Sequence, residues 1–413
     1  MLTVLGALGV FISLILVLTA IIIMAEQKLV SRGDVRIVIN GDEESGLVVE
    51  GGSSLLNTLG EQGIFLPSAC GGQGTCGTCM CRILDGGGEL LPTETTFITR
   101  RLAKEGWRLS CQVKVREDMS IHLPDDVFSA GRWECRVISN RNVSTFIKEF
   151  TVQLPDDETL NFRPGGYIQV EVPGYSLDFA RDIDISENYR QEWERIGLLD
   201  LKVRNTESVV RAYSMANHPA EGNIVRLNVR IAAPPWDSSR GGFRKVPPGI
   251  ASSYIFSRKP GDSIIITGPY GEFFMQDSDR EMVYIGGGAG MAPLRSHIFH
   301  LFYTLMTRRK VSFWYGARSR KEIFYEKEFR KIELDNPGFS FHVALSEPLD
   351  TDRWEGDIGF IHQVVLDKYL ISHPAPEDVE YYLCGPPVMI DAVEKMLADL
   401  GVEPEMIRFD RFG

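Results

Sequence analysis

Positive charge is in short supply in this chain of 413 residues: 44 lysines and arginines stand against 56 aspartates and glutamates, for a formal net charge of −12. A surface of that sign repels nucleic-acid phosphate and anionic lipid headgroups, which argues against a nucleic-acid partner. No internal repeat or low-complexity tract is evident, which removes repeat architectures. Cysteines are few and odd in number, 7 in all, and five of them (Cys70, Cys76, Cys79, Cys81 and Cys111) fall in one short region. Such clustering speaks against a scattered disulfide framework and for a metal centre. Basic residues are also missing ahead of the long apolar run at the start of the chain, which argues against a cleaved signal peptide.

That run extends from Leu2 to Ala25 without a charge. As a helix it would reach roughly 36 Å, against a hydrocarbon core of about 30 Å. Residues 1–27 are therefore expected to form a single transmembrane anchor. Lys28, Arg32 and Arg36 follow it, so the positive-inside rule puts the remaining domains on the cytoplasmic side. A reducing compartment would leave the thiols free for iron. A second span in which to build an ion path is lacking.

The length and the 44% hydrophobic content suit two or three domains, each with its own core. Strands are expected at 35–40, 46–50, 80–84 and 111–115, with a helix over 54–62, making a small β-rich module over 33–130. Alternating or β-branched runs at 132–139, 147–154, 167–172, 211–216, 224–231 and 263–267 predict an antiparallel barrel over 131–277. Two insertions, a charged one between Asp178 and Glu207 and a Pro/Gly-rich one between Pro234 and Pro248, read as surface loops. From 278 to 413, apolar strands at 282–285, 311–315, 339–345 and 379–383 alternate with helical stretches, the pattern of a doubly wound parallel sheet.

Cys70, Cys76, Cys79 and Cys111 are spaced C-x5-C-x2-C-x31-C, three thiols in one glycine-rich loop and a distant fourth, as a [2Fe-2S] centre requires. Gly71, Gly72, Gly74 and Gly77 let the backbone fold tightly around such a cluster with N–H groups turned to sulfur. A structural zinc site normally brings two C-x2-C pairs, and only Cys76 and Cys79 make one. Cys81, already on the outgoing strand, reads as a packed thiol. The segments Ser68-Ala69-Cys70-Gly71-Gly72 and Leu109-Ser110-Cys111-Gln112 resemble those of [2Fe-2S] ferredoxins, the C-x5-C spacing being similar to the adrenodoxin-like branch.

Arg211-Ala212-Tyr213-Ser214 lies on a predicted barrel strand, with Arg211 and Tyr213 on one face and Ser214 on the other. These groups suit a flavin dinucleotide: Arg211 for pyrophosphate, Tyr213 against the ring or ribityl chain, Ser214 hydrogen-bonding the ring. Gly249, Ser252 and Ser253 open a helix, where they serve either as a phosphate site or as an ordinary cap. The strand at 282–285 runs into Gly286-Gly287-Gly288-Ala289-Gly290-Met291-Ala292-Pro293, which departs from the Rossmann G-x-G-x-x-G because Pro293 replaces the third glycine. These motifs, with Cys384-Gly385-Pro386-Pro387, resemble the FAD barrel and both nicotinamide loops of the ferredoxin-NADP reductase superfamily. That resemblance implies that Gly286, Gly288, Gly290, Pro293, Gly385 and Pro386 hold the nicotinamide nucleotide, with the Cys384 thiol beside the reacting nicotinamide carbon. It also implies that Phe412 stacks over the flavin, although a ring closing the last strand is the equal alternative.

The order of anchor, ferredoxin, FAD barrel and nicotinamide domain, the two insertions and the ending Arg408-Phe409-Asp410-Arg411-Phe412-Gly413 make the chain look like the family of F subunits of bacterial sodium-translocating NADH:quinone reductases. This resemblance implies a single-pass protein of the bacterial inner membrane that takes hydride from NADH onto FAD and sends single electrons to its [2Fe-2S] cluster. Integral-membrane and flavin-bearing subunits, and finally ubiquinone, would receive them. Soluble reductase components of oxygenases share the modules and are the runner-up, separated by the N-terminal helix. A redox-inert scaffold is disfavoured by four intact ligands and two nucleotide loops. Residues alone leave NADH against NADPH open: Arg318 and Arg320 suit a 2′-phosphate, Glu322 a ribose hydroxyl.

Overall fold

The computed structural model describes residues 11–19, 33–239 and 241–411, and the chain divides into two units, Met1–Gly131 and Arg132–Gly413, each with its own core. Residues 11–19 are helical and present Phe11, Leu14, Leu16 and Leu18 outward. The rest of the expected anchor over residues 1–27 lies outside the described residues. Among the described residues no helix is long and apolar enough to cross a membrane.

In the first unit, β1 (Asp34–Ile39) turns through Asn40 and Gly41, both at positive φ, into its antiparallel partner β2 (Asp42–Glu50). An Asn-Gly pair is what a two-residue hairpin demands, because both central positions need φ > 0. With β3 (Met80–Asp85), β4 (Trp107–Leu109) and β5 (Met119–His122) the sheet order is β2-β1-β5-β3-β4, the central pair β1 and β5 being parallel. The helix Leu55–Glu61 is capped by Ser54, whose Oγ accepts from Asn57 N at 3.3 Å. It buries Leu55 and Leu59 against Ile37, Val113 and Ile121. The expected strand over 111–115 is absent from the observed elements. Gln112 N and Val113 N both bond back to Leu109 O, so the chain turns after β4 and carries Cys111 inward.

In the second unit β6 (Gly131–Asn142), β7 (Ile147–Gln153), β8 (Tyr167–Val172), β11 (Val209–Ser214), β12 (Ile224–Arg230) and β15 (Ser263–Tyr270) form a six-stranded sheet in the order β11-β8-β15-β6-β7-β12. It closes on itself where Met215 bridges Leu227 and Ala216 N bonds Arg226 O at 2.7 Å. The charged insertion is a folded element and not a surface loop. β9 (Tyr175–Asp178) pairs with β10 (Lys202–Asn205), the helices Phe179–Asp182 and Glu187–Arg195 bury Phe179 and Trp193 in the barrel core, and Leu198 of the turn Leu198–Asp200 joins them there. Its surface charge hid an apolar face. The second insertion is a short hairpin, β13 (Trp236–Asp237) and β14 (Gly242–Phe243), closed by an edge-to-face Trp236–Phe243 contact.

The C-terminal part is a parallel sheet of six strands, two more than expected. β16 (Met282–Gly287), β17 (Val311–Ala317), β18 (Phe339–Leu345), β19 (Asp357–Ile358), β20 (Glu380–Gly385) and β21 (Ile407–Arg411) lie in the order β19-β18-β17-β16-β20-β21. Strands β16 and β20 are buried along their whole length, as strands covered on both faces are. The strand order reverses between β16 and β20, and a crevice outside the carboxyl ends at such a reversal is where open α/β sheets bind ligands.

Candidate functional site

The four cysteines of the first unit come together in two pairs. The Cys76 thiol donates to Cys70 Sγ at 3.3 Å, and the buried Cys79 and Cys111 thiols hydrogen-bond each other. Within each pair the shared hydrogen bond lowers one thiol and raises its partner: the bond from Cys76 lowers Cys70 and raises Cys76, and the bond from Cys79 lowers Cys111 and raises Cys79. Two sulfurs plus two sulfurs is the donor set of a two-iron cluster, so the residues fit the [2Fe-2S] group. Among the described residues no wider group of three or more metal-ligating side chains is drawn together.

Gly77 shows why the loop is glycine-rich: at φ 74° an added Cβ would fall 2.5 Å from the Phe97 ring. Cys81 sits fully buried in the sheet core, where burial pushes its thiol up to about 12, in keeping with the packing role. One element was invisible in the sequence. Glu94, fully buried, receives Arg108 Nη2 at 2.7 Å and Leu109 N at 2.9 Å, while Arg108 also bonds the carbonyls of Gly87, Gly88 and Glu89. This pair ties the loop before the Pro92–Glu94 turn to the strand that delivers Cys111.

In the second unit Arg211, Tyr213 and Ser214 all lie on β11. Arg211 and Tyr213 are in register with Val170 and Ile168 of the core-facing side of β8, and Tyr213 packs on the barrel core. Burial raises the Tyr213 phenol above its ordinary value, so it stays protonated. Gly249 precedes the helix Ile250–Ser257, as expected. The two serine hydroxyls, however, both donate to Gly249 O, Ser252 at 3.2 Å and Ser253 at 2.7 Å, and Ser252 also accepts from Ala232 N. They close their own turn, so an anion at this helix start would be met by backbone N–H groups and not by these protons.

The two glycine-bearing loops meet at the β16/β20 reversal. Gly290 lies so close to the Cys384–Gly385 backbone that an added Cβ would stand 2.1 Å from Cys384 O. Gly288, by contrast, has nothing within 4 Å of the place a Cβ would take, at a φ of 58°. The loop is thus packed on one side and open on the other, beside the carboxyl ends of both strands, and this open cradle fits a nucleotide. Gly286 faces Leu294, and Pro293 is buried in the first turn of the helix Met291–Tyr303. Gly385 approaches Gly287 and Met389, and Pro386 caps the helix Pro387–Asp399. Of the residues considered for a 2′-phosphate, Arg318 is paired with Glu347 at 2.7 Å and Arg320 N bonds Asp352. Glu322 is held by the backbone and hydroxyl of Thr145.

Cys384 is fully buried, and burial, with the Asp410 carboxylate adding to it, raises its thiol well above the ordinary value. It is in register with Asp410 across β20 and β21. Asp410 accepts a 2.8 Å hydrogen bond from Ser214 Oγ, and its carboxyl is raised by burial to about 6. A barrel hydroxyl, a carboxyl and a thiol from three strands are therefore gathered in one place. Asp410 was not among the residues singled out for chemistry. Its only signal was an acid on a strand that otherwise closes a parallel sheet. Phe412 lies outside the described residues.

Comparison with known proteins finds three domain families along the chain. The pattern for a 2Fe-2S iron-sulfur cluster binding domain matches residues 37–116, that for an oxidoreductase FAD-binding domain residues 195–275, and that for an oxidoreductase NAD-binding domain residues 284–395. The F subunit of the Na(+)-translocating NADH-quinone reductase of Idiomarina loihiensis is 55% identical over 405 residues, 98% of each chain. Its counterpart from Pseudomonas paraeruginosa is 53% identical over 407 residues, again 98% of each. Among solved structures, a ferredoxin reductase in carbazole 1,9a-dioxygenase is similar at a TM-score of 0.60 and 26% identity, covering 92% of this chain and 99% of the other. The Amycolatopsis cytochrome P450 reductase GcoB shares the fold at a TM-score of 0.64 and 24% identity, over 92% of this chain and 98% of its own.

Proposed function

The chain belongs to the family of F subunits of the Na(+)-translocating NADH-quinone reductases, and on that premise we propose that it is the electron-input subunit of such a complex, oxidising NADH beside Cys384 and delivering electrons through Cys70, Cys76, Cys79 and Cys111. Its cofactors are FAD and a [2Fe-2S] cluster, with NADH as substrate. Bound FAD supplies the conversion between a two-electron donor and a one-electron acceptor. Arg211 would hold the pyrophosphate of bound FAD, Tyr213 would pack against the flavin, and Ser214, its hydroxyl fixed by Asp410, would offer a lone pair to the reactive edge of the ring. Gly286, Gly288, Gly290 and Pro293, with Gly385 and Pro386, shape the nucleotide cradle, and Cys384 is small enough to admit close ring approach.

Other subunits of the complex receive the electrons; we assign integral-membrane, flavin-bearing subunits and, beyond them, ubiquinone to that path. Residues 1–27 serve as a single-pass anchor in the bacterial inner membrane, with the domains 33–130, 131–277 and 278–413 on the cytoplasmic side. The donor is NADH and not NADPH, because the exposed Arg318 is already matched by Glu347, whose charge opposes a second phosphate.

The observation that carries the reading is the Ser214–Asp410 bond, which joins the barrel strand to the sheet edge beside Cys384. Comparing NADH and NADPH oxidation by the purified protein with an artificial one-electron acceptor tests it. Fast oxidation of NADH and slow oxidation of NADPH is expected. Oxidation of neither, or a preference for NADPH, would overturn it.

A further inference from the structure

Hydride transfer requires two rings held by different parts of the second unit to meet with little positional error, since a misplacement of about 1 Å can cost on the order of a hundredfold. Something must fix the nicotinamide cradle against the barrel. The helix that begins immediately after Gly288-Ala289-Gly290 carries three consecutive polar side chains, Arg295, Ser296 and His297, all buried. Each reaches a backbone carbonyl on the barrel side. Arg295 Nη1 bonds Ala216 O at 2.7 Å, Ser296 Oγ bonds Asn217 O at 2.7 Å, and His297 Nε2 lies 3.1 Å from Pro164 O and 3.0 Å from Phe273 O. Two carbonyls facing Nε2 require a proton on that nitrogen.

Arg295 stands out because its carbonyl partner is only two residues beyond Ser214, at the point where Ala216 N bonds Arg226 O and the barrel closes. The same guanidinium reaches Glu221 Oε1 at 2.6 Å, and Glu221 is itself fixed by Arg226 at 3.0 Å and by His218 N at 3.1 Å. Its plane stacks over Phe299, 3.9 Å from the ring centroid, and over Tyr325 at 4.9 Å. Tyr325 in turn donates to Glu149 of β7 at 2.6 Å and receives Asn228 of β12 at 2.8 Å. One side chain thus touches the end of the flavin strand, the barrel seam and the first turns of the nicotinamide helix.

We propose that Arg295 is a positioning residue for hydride transfer, fixing the register of the nicotinamide-loop helix on the flavin strand. This rests on the proposed NADH oxidation at Cys384 and adds a residue to it that touches neither ring. Lysine carries the charge but lacks the second nitrogen that reaches Glu221 Oε2 at 3.5 Å and the flat guanidinium that lies over Phe299 and Tyr325, so it fixes the helix less firmly than arginine does.

The test is rapid mixing of NADH with the full-length holoprotein carrying Arg295→Lys, alongside Glu221→Gln, which keeps the guanidinium and its Ala216 bond and guards against a folding failure in the first variant. In Arg295→Lys, flavin reduction at saturating NADH should slow by about tenfold or more while the NADH dissociation constant changes by less than about threefold. FAD content should be unchanged, and the long-wavelength band that reports nicotinamide stacked on flavin should weaken. Glu221→Gln should show the same changes to a smaller degree. Hydrogen–deuterium exchange of flavin-free Arg295→Lys protein should rise around residues 214–217. Wild-type reduction rate and band in both variants would overturn the inference, and so would a loss confined to FAD content or thermal stability. Failure of NADH to reduce even the wild-type flavin would instead refute the proposed function.

Discussion

Ser214 and Asp410 stand 196 residues apart in sequence, yet the serine hydroxyl donates to the aspartate carboxyl at 2.8 Å. Because Asp410 is also the cross-strand partner of Cys384, this single bond connects the barrel strand β11 to the buried thiol at the carboxyl end of β20.

Burial raises the Asp410 carboxyl from 3.8 to about 6. The folded protein therefore keeps a proton that the unfolded chain has already lost, and this group's contribution to stability is fully present below about 3.8 and lost as pH rises through about 6. Asp410→Asn should flatten that fall between the two values and leave the protein relatively more stable at neutral pH. Above about 6 the wild-type carboxylate, cross-strand to Cys384 at the proposed nicotinamide site, would stabilise the positive charge that grows on a nicotinamide there as hydride leaves. Flavin reduction should thus accelerate through that pH in the wild type and stay slow and flat in Asp410→Asn. Parallel thermal melts and rapid mixing across pH check both limbs, and a wild-type-like pH profile in the variant would remove Asp410 from the site.

Cys384 is fully buried with its thiol held protonated, so the role proposed for it is spatial and not nucleophilic. Cys384→Ala should slow flavin bleaching by NADH by on the order of a hundredfold through misplacement of the nicotinamide, with FAD and cluster content intact. An unchanged rate would return this cysteine to simple packing.

Arg211 and Tyr213 share one face of β11. Losing a charged hydrogen-bond partner of a phosphate costs about 1.5–3 kcal/mol, roughly ten- to a hundredfold in affinity. The Arg211→Ala, Tyr213→Ala double variant should lose FAD on extensive dialysis. Stoichiometric flavin after dialysis would refute the assignment.

Trp193 is fully buried between Phe179 and Phe256, and its indole donates to Thr145 O at 2.7 Å. Thr145 in turn holds Glu322 of the nicotinamide half. Trp193→Ala should destabilise the second unit by about 3–5 kcal/mol. A denaturation midpoint unchanged by the substitution would mean that the inserted segment is a surface appendage after all.

Much of this layout was legible in the residues, and the gaps have definite causes. The barrel strand 167–172 and the sheet strand 339–345 coincide with their predicted spans, because β-branched and aromatic runs bounded by turns declare themselves locally. The short β4 has no readable signal, since three residues carry no period, and the strand expected over 111–115 falls where the chain turns back on Leu109. The segment from Asp178 to Glu207 read as a loop because its charges outnumber the few aromatic residues, Phe179 and Trp193, that fix it to the core. The thiol and glycine motifs are legible by their spacing, whereas Glu94–Arg108, Ser214–Asp410 and the reach of Arg295 are pairings across distant sequence that only folding reveals. The serines at 252 and 253, for which the residues left a phosphate site and a cap both open, donate their hydroxyls to their own turn in the structure.

The central claim, that two redox centres in separate units act in series, is tested most directly by electron paramagnetic resonance of NADH-reduced Cys76→Ala protein, with the flavin followed by its visible absorbance. Loss of one of the four sulfurs should abolish the cluster signal while FAD stays bound and is still bleached by NADH. A cluster signal of normal intensity would remove Cys76 from the ligand set and contradict the account.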